Sequence, residues 1–170
     1  MSEEDNKNTK PDAESIEKSI QYAKKYLEDL LSFFGLNTEV YATNSEDEVI
    51  ELQVPSTHLN GFLIGQRGET MRGFQFLTSN ALKNSGHSMT RVNVDIAEYK
   101  KQRADRLREK AEEWVKEVKD SGKAKDLRPM NSADRRVIHK LAGEHGLVTE
   151  SVGEGRDRHI VLKPGEETED

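Results

Sequence analysis

The chain has 170 residues, carries 26 Lys and Arg against 32 Asp and Glu, and contains no cysteine. The lack of cysteine excludes disulfides and thiolate metal sites, and no run approaches the ~20 apolar residues that span a bilayer. The first residues lack the basic and apolar regions of a secretory signal. We therefore expect a cytoplasmic protein with no membrane insertion.

The net charge of −6 is unevenly distributed along the chain. Residues 1–60 carry 5 basic and 13 acidic residues, residues 61–163 carry 21 and 15, and residues 164–170 carry four acidic ones. A basic middle between acidic ends can bind a polyanion, because the local field matters more than the net charge. The surplus is modest, so we expect moderate and salt-sensitive affinity.

The N-terminal part of the sequence predicts a tail, a helix and a hairpin. Residues 1–13 are polar and are expected to be disordered. Apolar residues at helical spacing then predict a helix over 13–34, which Gly35 ends. Two strands are predicted at 37–43 and 49–54, joined by a polar turn, and apolar and polar residues alternate in the second.

Two more helices and a strand complete this first region. A short helix is predicted at 56–64, and a longer one at 69–84 with an inward face that includes Leu77. Residues 90–96 alternate as a third strand. The predicted order is α-β-β-α-α-β, which gives a three-stranded sheet backed by helices.

The C-terminal region begins with a long, highly charged helix at 98–120. Its apolar stripe starts only at Leu107, so its first turns, including Arg103, are expected to be a solvated connector. Asn131 followed three residues later by Asp134 is typical of a capping box, with Asp in place of Glu. A helix follows and ends at His145 and Gly146, and strands at 147–152 and 158–162 form a hairpin.

Four residues between two predicted helices, Gly65, Gln66, Arg67 and Gly68, carry the strongest functional pattern. The glycines free the turn and let another backbone approach closely. The start of the next helix offers unpaired N–H groups and a positive dipole end, which suit a phosphate. Arg67 adds a positive charge, and Arg72 is placed one turn further on to reach a phosphate. A plain helix–turn–helix corner also uses glycines, but the combination favours a clamp on a nucleic-acid backbone.

Residues 14–97 resemble a KH domain of the type II order. The resemblance implies that the loop of residues 65–68 clamps about four nucleotides of a single strand. It also implies that the bases lie in an apolar groove beside this loop, lined by Leu63, Ile64 and the adjacent strand.

A second constellation, Arg135, Arg136 and His139, lies on the predicted C-terminal helix. Arg135 and His139 are four residues apart and share a face, where Arg can hold a phosphate and His can stack on a base. Alone, the pattern favours a solvated cationic face or a packing histidine. Followed by two strands and a basic loop with Arg156 and Arg158, it resembles the R-three-H domain, a family that binds single-stranded nucleic acid.

A type II KH domain, a charged helix and an R-three-H domain in this order resemble the bacterial Jag family. Residues 63–70 and 129–136 carry the resemblance. It implies single-stranded RNA binding in the cytoplasm, post-transcriptional regulation or RNA chaperone activity, and in some bacteria a role in cell elongation and shape. It also implies pairing with a small protein that is a lone KH domain, or homodimerisation.

The expected fold class is α+β, in four parts. These are a disordered tail at 1–13, a type II KH domain at 14–97, a linker helix with an R-three-H domain at 98–164, and an acidic disordered tail at 165–170. Many Jag proteins carry a further N-terminal domain, which we expect this chain to lack. Whether envelope-linked regulation survives without that domain is left open.

Enzymatic motifs are missing from the sequence. There is no GxSxG or P-loop pattern, and the five histidines are scattered without HExxH spacing. We expect no enzyme, no cofactor and no metal site.

The main hypothesis is a protein that binds single-stranded RNA, with single-stranded DNA left open. The alternative is a protein-interaction adaptor that uses the KH domain to pair with another KH protein.

Overall fold

A computed structural model describes residues 12–45 and 47–165. Most of the two predicted tails lies outside these ranges. The expectation of a tail is wrong for Asp12 and Ala13, because Ala13 begins a helix and the Asp12 side chain accepts a hydrogen bond from the N–H of Ser15. The chain divides into two compact units, the first ending at Tyr99 and the second beginning at Lys100.

The first unit has the predicted order α-β-β-α-α-β. Its elements are α1 (Ala13–Ser32), β1 (Tyr41–Asn44), β2 (Ile50–Val54), α2 (Asn60–Ile64), α3 (Glu69–Asn84) and β3 (Val92–Ile96). A 3-10 turn at Gln66–Gly68 joins α2 to α3. The bounds of α3 agree with the prediction, since it begins directly after Gly68 and ends where polar residues follow Leu82.

The sheet of the first unit has the order β1-β2-β3. β1 and β2 are antiparallel, with Ala42 opposite Leu52, and β2 and β3 are parallel, with Leu52 opposite Val94. Leu52 and Val94 are fully buried, because α1 and α3 pack on the sheet. The largest fully buried side chains of this core are Leu27, Leu31, Ile50, Leu52, Leu63, Leu82 and Ile96.

Side chains that bond to the backbone shorten two predicted elements. β1 begins later than residue 37, and the N–H of Val40 donates to the Glu28 carboxylate at 2.9 Å. α2 begins at Asn60 rather than residue 56, because Asn60 Oδ1 accepts from the N–H of Thr57 at 2.7 Å. Such local bonds compete with regular secondary structure.

The prediction that Leu77 points inward is wrong. Leu77 is 45% exposed, whereas Phe74, one turn earlier, is 5% exposed. The buried face of α3 follows helical spacing through Met71, Phe74, Thr78 and Leu82. Leu77 therefore lies on the flank of the helix.

The second unit contains most of α4 (Tyr99–Ser121), followed by β4 (Lys125–Asp126), α5 (Ser132–Glu144), β5 (Val148–Val152) and β6 (His159–Lys163). β6 is the central strand of the order β4-β6-β5, and both pairings are antiparallel. The sequence did not predict β4 as a paired strand. The core includes Ala111, Val115, Val118, Ile138, Leu141, Ala142, Ile160 and Leu162.

Candidate nucleic-acid interface

Both glycines of the 65–68 loop, defined as residues Gly65, Gln66, Arg67 and Gly68, are required by the geometry of the turn. Gly65 has φ +70° and ψ −178°, and a Cβ built on it would lie 2.1 Å from Thr70 Oγ1 and 2.9 Å from the Thr70 backbone nitrogen. Gly68 has φ +80°, and a Cβ there would lie 3.2 Å from Tyr99 Cε1. These backbone angles favour glycine. Gly65 is half-buried against Thr70, and Gly68 is buried against Tyr99 and Arg72.

The loop presents polar side chains at its tip and a helix start behind it. Gln66 and Arg67 are exposed, and Arg67 has positive φ (53°). Arg72 Nη1 donates to the Arg67 carbonyl at 2.9 Å, so Arg72 braces the loop backbone. Gly68, the N-cap of α3, has no side chain that caps the first turn. The Glu69 N–H donates to the Gln66 carbonyl, and the positive end of the α3 dipole at this point favours an anion.

One residue predicted to line an apolar groove beside the loop does not reach the surface. Leu63 is fully buried in the core and cannot contact a ligand. Ile64 is half-buried and packs at the edge of the same core, so it is the member of this pair that reaches the surface. On a helix these two residues are 100° apart, which accounts for the difference.

On α5, Arg135 and His139 are fixed by different neighbours. Arg135 is half-buried, and its Nη1 donates to the Met130 carbonyl at 2.8 Å. His139 is exposed, and its Nδ1 forms a short hydrogen bond with the Thr149 hydroxyl on β5. Both side chains are therefore held in place before any ligand binds, and Nε2 of His139 is left for other partners.

The remaining predicted arginines are exposed on two elements. Arg136 lies on α5, and Arg156 lies in the 3-10 turn Gly155–Asp157 of the hairpin. Arg158 follows that turn, and its Nε donates to Ser151 Oγ at 3.0 Å. The structure thus places Arg156 and Arg158 in the hairpin between β5 and β6, whereas Arg135, Arg136 and His139 share α5.

The interpretation of Arg103 as part of a solvated connector is wrong. Arg103 Nε lies 2.9 Å from Asp134 Oδ1, and Nη2 lies 2.5 Å from Oδ2. The N–H of Asp134 donates to Asn131 Oδ1 at 2.9 Å, which confirms Asn131 as the N-cap of α5. The Asp134 carboxylate, however, binds α4. Arg103 lies four residues before Leu107, the first residue of the apolar stripe, and therefore on the same face of α4. This spacing was the signal in the sequence that Arg103 faces the core of the second unit.

An ion pair at the end of the β5–β6 hairpin away from its loop lowers the pKa of Glu150. Lys163 Nζ donates to Glu150 Oε2 at 2.6 Å, and this hydrogen bond lowers the pKa of Glu150 from its ordinary value.

Within residues 12–45 and 47–165, no group of three or more His, Cys, Asp or Glu side chains could hold a metal ion. Across the same ranges, no helix has the length and apolar character needed to cross a membrane.

Comparison with known families places this second unit. The R-three-H domain family matches residues 105–164. The matched region covers most of α4, all of α5 and the β5–β6 hairpin. It therefore contains Arg135, Arg136, His139, Arg156 and Arg158.

Curated relatives are similar over a longer stretch. The RNA-binding protein KhpB of Bacillus subtilis is 32% identical over 150 residues, which cover 84% of this chain and 69% of the relative. KhpB of Clostridium symbiosum is 35% identical over 103 residues, covering 60% of this chain and 46% of the relative. KhpB of Lactiplantibacillus plantarum is 38% identical over 107 residues, covering 62% and 33%.

Proposed function

This chain belongs to the KhpB (Jag) family, and on that premise we propose that it binds single-stranded RNA in the cytoplasm. We propose two contact sites, the 65–68 loop with Ile64 and Arg72, and a second site around Arg135 and His139. Arg136, Arg156 and Arg158 extend the second site. The biological role that fits such binding is post-transcriptional regulation or RNA chaperone activity.

The geometry of the 65–68 loop carries the proposal. Its two glycines form a tight turn with positive φ, α3 begins directly behind it, and Gln66 and Arg67 are exposed at its tip. This is a site for phosphates rather than for a particular base, because backbone N–H groups and a mobile cation do not distinguish bases. The α-β-β-α-α-β order supports assigning residues 14–97 to a type II KH domain, which uses such a loop to clamp nucleotides.

The second site is supported by its preorganisation. Arg135 and His139 are tied to Met130 and Thr149, so binding does not have to order them first. An arginine offers planar N–H donors to a phosphate, and an exposed imidazole can stack on a base. The match of the R-three-H domain to residues 105–164 supports a nucleic-acid ligand here.

An NMR titration tests the proposal. The chain, labelled with ¹⁵N, is titrated with a mixed-sequence single-stranded RNA of roughly 12 nucleotides, three times the length that a KH loop clamps. The backbone amides of Gln66, Arg67 and Gly68 should shift, together with the amides around Arg135 and His139. Unchanged loop amides at saturation would contradict the loop site. A DNA of the same sequence shows whether the 2′-hydroxyl contributes.

A second candidate function, pairing with another KH protein or with a second copy, rests on the outer face of α3. Phe76 is 64% exposed and Leu77 is 45% exposed, and Gly73 lies one turn before them. Glycine inside a helix costs about 1 kcal/mol relative to alanine. A Cβ on Gly73 would meet nothing within 4 Å, so the fold of this chain does not require glycine there. A notch beside two exposed apolar side chains suits the close approach of a partner's helix.

Sedimentation separates this second candidate from RNA binding. If the outer face of α3 pairs with a second copy, the wild-type chain should sediment as a dimer after nuclease treatment, and Phe76→Ser with Leu77→Ser should sediment as a monomer. If the wild-type chain and the variant both sediment as monomers at high concentration, pairing with a second copy is ruled out. Mixing with a lone KH-domain protein then tests the heterodimer in the same way.

A further inference from the structure

A groove runs along the outer face of α1 in the first unit, away from the 65–68 loop. Its volume is about 590 Å³, a size typical of sites for small ligands (~300–1,000 Å³). The lining residues on α1 are spaced three or four apart and so share a face, and His87 closes the groove from the segment after α3. The residues that line the groove include Lys18, Tyr22, Lys25, Tyr26, Asp29 and His87.

Three aromatic rings form the floor of this groove. The rings of Tyr22 and Tyr26 are nearly parallel, at 12°, with centroids 6.2 Å apart, and the Tyr22 and His87 ring centroids are 4.5 Å apart. Tyr22 Oη accepts a hydrogen bond from Ser85 Oγ at 2.9 Å. Gly86, at φ +70°, turns the chain back so that the His87 N–H donates to the Leu82 carbonyl at 3.1 Å. The end of α3 thus fixes the rings of Tyr22 and His87, and Tyr26 lies beside Tyr22.

The charges at the groove nearly cancel. Lys18 pairs with Glu14 at 2.6 Å and Lys25 pairs with Asp29 at 3.0 Å, and the two lysine side chains are 68% and 75% exposed. Exposed ion pairs of this kind are weak, so each lysine can exchange its carboxylate for a phosphate. Because the acids remain nearby, attraction at this groove comes from the ring faces more than from net charge.

We propose that this groove binds unpaired nucleobases of the single strand that the 65–68 loop holds, an inference that rests on the proposed function. Tyrosine and histidine rings are surfaces on which unpaired bases stack, and the flanking lysines are placed for the neighbouring phosphates. The loop lies at the start of α3 and the groove at its end. Those ends are ~24 Å apart for a helix of this length, so one strand following α3 meets both.

Tyrosine variants of the full chain test the groove by fluorescence anisotropy. The probes are a mixed-sequence RNA of roughly 12 nucleotides and one of about four nucleotides, the length that a KH loop clamps. Tyr26→Ala should weaken binding of the longer RNA roughly 10-fold, because one stacked base is lost. Tyr26→Phe keeps the ring and should bind like wild type. Tyr41→Ala, a matched change at a 59% exposed tyrosine on β1, should also have no effect.

Two further readouts separate stacking from charge. The loss caused by Tyr26→Ala should be the same at low and high salt, since stacking releases no counterions. The four-nucleotide RNA should bind Tyr26→Ala and wild type equally, because it is too short to reach the groove from the loop. Circular dichroism of each variant checks that α1 is intact.

The outcomes distinguish the groove from the proposed function. If Tyr26→Ala binds the longer RNA like wild type while Gln66→Asp with Arg67→Asp loses binding, the groove does not bind RNA. The 65–68 loop is then still supported as the RNA site. The groove is also overturned if Tyr26→Ala changes only the sedimentation of the chain, which would indicate a protein partner. If wild type binds neither RNA, both the groove and the proposed function fail.

Discussion

Arg103 on α4 and Asp134 on α5 form a two-point ion pair, with Nε 2.9 Å from Oδ1 and Nη2 2.5 Å from Oδ2. The Asp134 side chain is 8% exposed and the Arg103 side chain is 28% exposed. Asp134 lies in the first turn of α5, immediately before Arg135. The pair therefore fixes the start of the helix that carries both Arg135 and His139.

Replacing Asp134 with Asn should destabilise the second unit. The amide keeps the shape of the side chain but removes the negative charge that faces Arg103. Breaking a buried pair costs ~3–5 kcal/mol, and because Arg103 is partly exposed we expect about 2–3 kcal/mol. Urea unfolding measures this, with exposed Asp157→Asn as the matched control. A change in unfolding free energy below about 0.5 kcal/mol, the range of surface substitutions, would contradict the role of the pair.

Two glycine substitutions in the first unit should have opposite effects. Gly65→Ala places a Cβ 2.1 Å from Thr70 Oγ1 at a backbone conformation that disfavours other residues, so we expect a loss of at least ~1–3 kcal/mol. Gly73→Ala has open space and regular helical geometry, so we expect a gain of up to about 1 kcal/mol. Thermal unfolding of both variants checks the signs. Equal effects would show that the 65–68 loop is not constrained as described.

Thr149→Val should weaken RNA binding at the second site with little loss of stability. The substitution keeps the shape of the side chain and removes the hydroxyl that bonds to His139 Nδ1. The imidazole then loses its fixed orientation, so ordering it costs free energy on binding, about 0.5–1.5 kcal/mol for one side chain. Anisotropy should give a several-fold weaker affinity, and Thr149→Ser should restore it. If His139→Ala itself leaves the affinity unchanged, the histidine does not touch the RNA.

The Lys163–Glu150 pair gives a prediction on pH. Because the hydrogen bond from Lys163 lowers the pKa of Glu150, the folded carboxylate is stabilised above the ordinary glutamate pKa. That stability is lost as the pH falls through the lowered value. Both side chains are exposed, so the effect on unfolding is small. NMR titration of the Glu150 carboxyl should give a midpoint below that of ordinary glutamates, and Lys163→Met should raise it. An unchanged midpoint in Lys163→Met would exclude the pair as the cause.

The strongly periodic elements were predictable from the sequence. The bounds of α3 follow from its apolar spacing and from Gly68, and the 65–68 loop follows from two glycines between helices. β2 was predictable because Ile50, Leu52 and Val54 alternate with polar residues and face the core. For the candidate sites, the sequence places Arg135 and His139 on one helix, and the structure adds what holds each of them.

Bonds between residues distant in sequence were not predictable. The Glu28 carboxylate takes the N–H of Val40, twelve positions away, and so delays β1. Arg103 meets Asp134 only because α4 and α5 pack together. The sequence does not reveal the aromatic groove on α1, because Tyr22 and Tyr26 lie off the apolar stripe and His87 joins them only in the folded chain. Periodicity predicts which face of a single helix or strand is buried, whereas each of these contacts depends on how two segments of the chain pack together.

The most direct test of the central claim, that the 65–68 loop holds a single strand, is a salt-dependent anisotropy titration. It compares wild type with Gln66→Asp plus Arg67→Asp, using a mixed-sequence RNA at about 0.05 and 0.2 M salt. Both positions are exposed, and Asp tolerates the positive φ of Arg67, so the fold should be unaffected.

We predict that the double variant binds at least roughly 10-fold more weakly at low salt, because two negative charges then stand where the phosphate binds. The slope of log affinity against log salt should also become shallower by about 0.7 for each phosphate that the variant no longer neutralises. A folded double variant with the affinity and slope of wild type would contradict the account.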